Sequence, residues 1–172
     1  MIITLRNREK LRLNIPIDWG IYDKKYGSQT AHHINSLRWI NFKNINLMNE
    51  IISDFYNYHI IKKNKNRYYN TDRSADHCIT IRLNIFLTIL NDNINPEIND
   101  KLIKLIESDI DNLYLPYMYR SGHNHGLMID ICLLKINKTQ FSYKIPDIKY
   151  VINRGKKSLD CMIYKNGLTK EH

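Results

Sequence analysis

At 172 residues the chain has the length of one domain, and a 43% hydrophobic content suffices for a core, which excludes wholesale disorder. The net charge of +9 points to an anionic partner, among which nucleic acid, an anionic membrane and an acidic polysaccharide all qualify. No apolar run reaches membrane-spanning length and the amino-terminal residues show no sustained apolar h-region, so neither a membrane span nor a signal peptide is expected.

Residues 1–30 show no clear periodicity and are punctuated by Pro16, Gly20 and Gly27. Ile15, Ile17 and Trp19 suit a short extended piece. Ser28, Gln29 and Thr30 offer a helix start, followed by a stripe at His33, Leu37 and Ile40. Trp39 beside it reads as core packing rather than as a sugar-stacking platform. Leu47, Ile51, Phe55 and Tyr58, spaced by four, four and three, predict the next helix. A basic polar run over 62–67 follows and reads as a solvated loop.

The most buried-looking helix covers 74–90. Cys78, Ile81, Ile85 and Ile89 form one row, and Leu83, Phe86, Leu87 and Leu90 fill much of the rest. Charge is costly in such surroundings, so Asp76, His77 and Arg82 are expected to be paired or to face a polar cleft; pairing suits Arg82 best. Pro96 opens another helix at its first turn, with Ile98, Leu102, Leu105, Ile106, Asp109 and Leu113 on its stripe. Pro116 interrupts any helix in the tyrosine-bearing stretch 112–120, which holds Tyr114, Tyr117 and Tyr119. Leu127, Ile131 and Leu134 mark the next helix. Pro146 and Asp147 start a last one, with Ile148, Val151, Ile152, Leu159, Met162 and Ile163 as its apolar stripe and Gly167 as its stop. Cys78, Cys132 and Cys161 lie in helical patterns and read as reduced, buried thiols. Helices joined by short links, with little strand signal, predict an all-α fold of antiparallel helical hairpins.

One stretch carries a polar constellation. Between Ser121 and Asp130 two imidazoles, an amide and a carboxylate crowd around Gly122 and Gly126. Gly122 suits a turn, and Gly126 lets a ligand or another segment come close. Asn124 and His125 fall at the start of a buried helix, where side chains can face a cleft and the positive helix end favours an anion. The same residues also suit a plain helix cap and a surface histidine. His123 and His125 raise the possibility of zinc. Residues two apart do not share a helix face, however, and no second pair completes four ligands, so neither metal nor cofactor is expected.

Four segments in order resemble the heparinase II/III-like polysaccharide lyases. AHHINSLRWI is similar to an early helix of that family. ADHCITIRLNIFL resembles its D-H-x-x-x-x-R helix. YRSGHNHGLMIDICLLKI resembles its N-H-G-x-x-x-D-x-x-L-L element, and KNGLTKEH resembles the start of its D-G-x-x-x-E-x-S-x-x-Y segment. The resemblance implies part of an incomplete (α/α) toroid over residues 1–172, a partial helical domain without the family's carboxy-terminal β-sandwich. It implies an acidic, uronate-containing polysaccharide as partner, with nucleic acid disfavoured because the basic residues are scattered.

The family reaction is β-elimination. Asn124 matches the residue that neutralises the uronate carboxylate, and His125 matches the adjacent histidine that acts as base or charge stabiliser. His77, Arg82, His123 and Tyr119 are expected to help hold the anionic chain, and Asp130 to orient or pair. The family's catalytic tyrosine lies beyond the last matched segment. The expectation is therefore a truncated lyase, inactive alone, with a non-catalytic polysaccharide-binding domain as the alternative.

Overall fold

Alternation of apolar and polar residues opens the chain with a β-hairpin, which the lack of a long periodic run conceals in the sequence. The computed structural model describes residues 1–5, 9–20, 22–64 and 67–163. Strands β1 (Ile2–Thr4) and β2 (Lys10–Arg12) pair antiparallel with Ile3 opposite Leu11. Backbone hydrogen bonds from Leu5 to Glu9 and between Met1 and Leu13 lengthen the ladder. Ile3, Leu5, Leu11 and Leu13 all point into the core, as a period of two requires. Within the described residues this is the whole of the sheet; the rest of the regular structure is helical.

The segment after β2 is fastened to the helices by one carboxylate. Asp54 accepts hydrogen bonds from the Ile17 amide at 2.7 Å and the Trp19 indole at 3.1 Å, so the Trp19 ring lies buried edge-on to Phe55. A short helix α1 (Tyr22–Tyr26) leads to α2 (Ser28–Asn35), which begins at the expected serine behind Gly27. It ends earlier than the stripe suggested: Leu37 adopts a left-handed φ of 57° and is buried beyond the helix, while Ala31 and Ile34 supply the helical packing. Trp39 packs against the core as expected and donates its indole N–H to the Ile34 carbonyl.

Helix α3 (Ile45–Tyr56) is capped by Asn44, whose side chain accepts from the Leu47 amide. It runs into a π-helical turn, Asn57–Ile61, and a second π-turn follows at Arg67–Thr71. The predicted stripe needs a shift here, because Met48 and Ile52 are buried while Leu47 is only partly covered. Helix α4 (Ala75–Asn91) is the hub, touching α2, α5 (Asn99–Leu113), α6 (Asn124–Ile136) and the second π-turn. Its buried side chains lie around most of its circumference, as its composition predicted.

Helix α7 (Ile148–Met162) starts at Asp147, which caps the Tyr150 amide, and packs on α6. The expected stripe on α6 is out of phase: Ile131 is exposed, and Gly126, Ile129, Asp130, Leu133 and Ile136 face inward instead. The cause is Asp130. This carboxylate is buried because Arg154 of α7 binds it, so a polar residue occupies the inner face that apolar periodicity assigns to its neighbours. Cys78 and Cys132 are buried free thiols, pushed up to about 12 by burial, whereas Cys161 is exposed, contrary to expectation. Gly167 and the KNGLTKEH segment lie outside the described residues, as do positions 65 and 66 of the basic run.

Candidate anion-binding cleft

The amino-terminal ends of three helices open onto one cleft of about 320 Å³. Ser28 and Gln29 begin α2, Ser74 precedes α4, and His125 lies in the first turn of α6. Each helix start contributes partial positive charge. The cleft adds Arg38, Arg67 and Arg120 together with His32, His33, His77 and His125, and Tyr68 forms part of the wall; among the described residues no Asp or Glu lines it. Such a surface favours an anion through both charge and available N–H donors.

Beneath the cleft lies Asp76, 1% exposed. Its oxygens stand 3.0 and 3.1 Å from His125 Nδ1, and it accepts from the His77 amide at 2.6 Å. Arg120 approaches it at 3.4 Å. The imidazoles form a row of edge-to-face contacts, His123 to His125 at 5.0 Å, His125 to His77 at 5.6 Å and His77 to His32 at 4.9 Å. Burial lowers His32 to about 4, and the charges of His77, Arg38, His33 and His125 push the same way. Burial and Arg38 also lower His33. The Nε2 atoms of His32 and His33 and the Nε of Arg120 are buried without a hydrogen-bond partner.

Local chemistry explains how the central stretch reaches this place. Gly122 turns the chain at φ 68°. His123 caps α6, its Nδ1 accepting from the His125 amide at 3.2 Å, so the capping reading of the motif applies to His123. Gly126 permits a close approach, and the segment that approaches is the chain itself: a Cβ there would stand 2.1 Å from the Arg120 carbonyl oxygen. The absence of that Cβ lets Arg120 fold back beside Asp76.

The expected site residues separate. His125 and His77 line the cleft, and His123 caps the helix behind them. Asn124 is exposed and lies outside the lining, because the first residue of α6 turns its side chain away from the face that His125 presents. Arg82 does not reach the cleft. It is fully buried, with Nε and Nη2 on the two oxygens of Asp109 and Nη1 on the Tyr68 carbonyl, so it has no group left for a ligand. Tyr119 also points elsewhere, donating to Asp130 at 2.9 Å beneath the Arg154 guanidinium, which lies 3.7 Å above its ring. Asp130 pairs with Arg154, in keeping with an orienting role.

Sequence reasoning missed Arg38, Arg67, Arg120 and His32. The clue was at hand for most of them, since AHHINSLRWI holds His32, His33 and Arg38, and YRSGHNHG holds Arg120. Three of the four resembling segments thus meet at one cleft. Among the described residues no group of three or more His, Cys, Asp or Glu converges on a point that would hold a metal ion. No family model, curated protein or solved structure matches the chain.

Proposed function

We propose that this cleft binds an acidic, uronate-containing polysaccharide, and that the chain is part of the helical toroid of a heparinase II/III-like lyase. The supporting observation is the meeting of three separate resembling segments around a cleft with three arginines, four histidines and, among the described residues, no lining carboxylate. A uronate chain presents one carboxylate per acidic sugar, and arginine forks suit that group through paired charge-assisted hydrogen bonds.

In the elimination reaction, removal of the proton next to the uronate carboxylate is opposed by that group's negative charge. In this reading Arg120 and Arg38, rather than the exposed Asn124, stand where they can offset it, and His125 is the base. A role limited to retention of the polysaccharide is the second reading, favoured by the position of Asn124 outside the cleft.

Calorimetric titration with a uronate oligosaccharide and with a neutral glucan of equal length tests the proposal. The acidic chain should bind, the neutral one should not, and added salt should weaken binding through screening. Equal affinity for both would remove the electrostatic basis of the reading. The chain by itself is expected to give no rise in ultraviolet absorbance from unsaturated uronate product; a clear rise on the acidic polymer would favour the lyase over retention and overturn the expectation that it is inactive alone.

A further inference from the structure

His125 has one nitrogen committed to the protein and one left for the cleft. Nδ1 faces both oxygens of Asp76, whereas Nε2 has no hydrogen-bond partner among the described residues and belongs to a ring that lines the cleft. A carboxylate only accepts hydrogen bonds, so Nδ1 must carry the proton in this contact, and the neutral ring then keeps its lone pair on Nε2.

We propose that Asp76 is a positioning residue that fixes the tautomer of His125, so that the basic Nε2 lone pair is presented to whatever occupies the cleft. The functional meaning rests on the proposal that the cleft receives a substrate from which a proton is taken; the geometric claim does not. When Nε2 takes a proton, Nδ1–H stays on Asp76, and the positive charge of the ring lies against that carboxylate.

Two further contacts hold Asp76 for this task. The His77 amide fixes Oδ1 and the Arg120 guanidinium stands beside Oδ2, so the carboxylate cannot rotate freely. Burial keeps water from replacing it. The charged and titratable groups around the ring are Asp76 and His77 on α4, Arg120 and His123 on the chain entering α6, and His32 on α2. Among the described residues only Asp76 is an acceptor in contact with Nδ1.

The substitution Asp76→Leu gives a sharp test, because it nearly keeps the volume and removes the acceptor that holds the proton on Nδ1. An amide in its place would test less, since its oxygen at the Oδ1 position would still lie within reach of both the His77 N–H and His125 Nδ1. With the carboxylate gone, nothing in that contact favours Nδ1–H, and the ring proton is free to move to Nε2.

The experiment is two-bond 15N–1H correlation of the imidazoles in the intact chain, at a pH where His125 is neutral. The wild-type ring should show its proton on Nδ1, and Asp76→Leu should weaken that preference by about tenfold or more. A wild-type proton on Nε2, or an unchanged tautomer in a folded variant, would overturn the assignment. The wild-type spectrum decides even if the variant does not fold. If the tautomer is as expected and the uronate oligosaccharide does not bind, the glycan reading falls and the positioning by Asp76 stands.

Discussion

Helix α4 carries two ionic arrangements six residues apart that do opposite things. Arg82 and Asp109 are both fully buried, and every guanidinium nitrogen has a protein acceptor: the two carboxylate oxygens and the carbonyls of Tyr68 and Tyr69. Tyr69 and Phe55 cover the remaining faces, with the guanidinium 4.8 Å from the Tyr69 ring centre. Asp76 is equally buried, but its partners Arg120 and His125 are about a quarter exposed and open to the cleft. A closed pair organises the core. An open one leaves donors for something outside the protein. The difference explains why Arg82, equally conspicuous in the sequence, is not part of the cleft.

The closed pair should dominate stability. Asp109→Ala or Arg82→Ala leaves an uncompensated buried charge and should cost about 3–5 kcal/mol in urea unfolding. Joint replacement by apolar residues of similar volume should recover most of that loss. Arg120→Ala, which removes one partly exposed partner of buried Asp76 while His125 and the His77 amide remain, should cost less, about 1–2 kcal/mol. Similar losses at Arg82 and Arg120 would erase the distinction.

Gly126→Ala should fall between the two cases. Its Cβ meets a backbone oxygen rather than a flexible side chain, so the helix start and Arg120 must shift. A loss of about 1–3 kcal/mol is expected, with weaker binding of the acidic oligosaccharide as Arg120 leaves its place. A glycine here that tolerates alanine in both measurements would separate Arg120 from the cleft.

Affinity should respond where stability does not. Arg38→Gln, at an exposed position on the cleft wall, should lower affinity for the acidic oligosaccharide about tenfold with little change in unfolding. A separate effect concerns pH. His32 is held neutral, its value lowered from 6.5 to about 4 by burial first and neighbouring charges second. The unfolded chain therefore binds more protons between those values, so its contribution to stability is intact above pH 6.5 and is lost as pH falls toward 4. A bound anion favours the charged imidazole and should offset that loss, so affinity should rise over the same interval. His32→Gln should flatten both trends; an unaltered pH dependence would remove His32 from the cleft's electrostatics.

Much of the helical frame was legible in the sequence because long apolar patterns persist over several turns, most plainly in 74–90. Asp147 and Ser28 marked helix starts by side-chain chemistry that is local. The β-hairpin was not legible because three-residue strands carry too little alternation to stand out. The phase of α6 was missed because buried polar Asp130 depends on Arg154, twenty-four residues away. The cleft was half legible for a similar reason. His77 and His125 were singled out from motifs, but Arg38 and Arg67 gain their meaning only when α2 and the second π-turn come beside α4.

Imidazole 15N–1H spectra recorded during titration with a uronate oligosaccharide test the cleft most directly, because the protein carries its own reference. His59 is a buried imidazole stacked on Tyr69 at 4.0 Å, in the region of the closed ion pair, and burial followed by Arg82 holds it well below 6.5. Saturable shifts are expected at His32, His77 and His125, with His59 unmoved and a neutral glucan without effect. Shifts absent from the three cleft histidines while the oligosaccharide binds would place the ligand elsewhere and contradict this expectation.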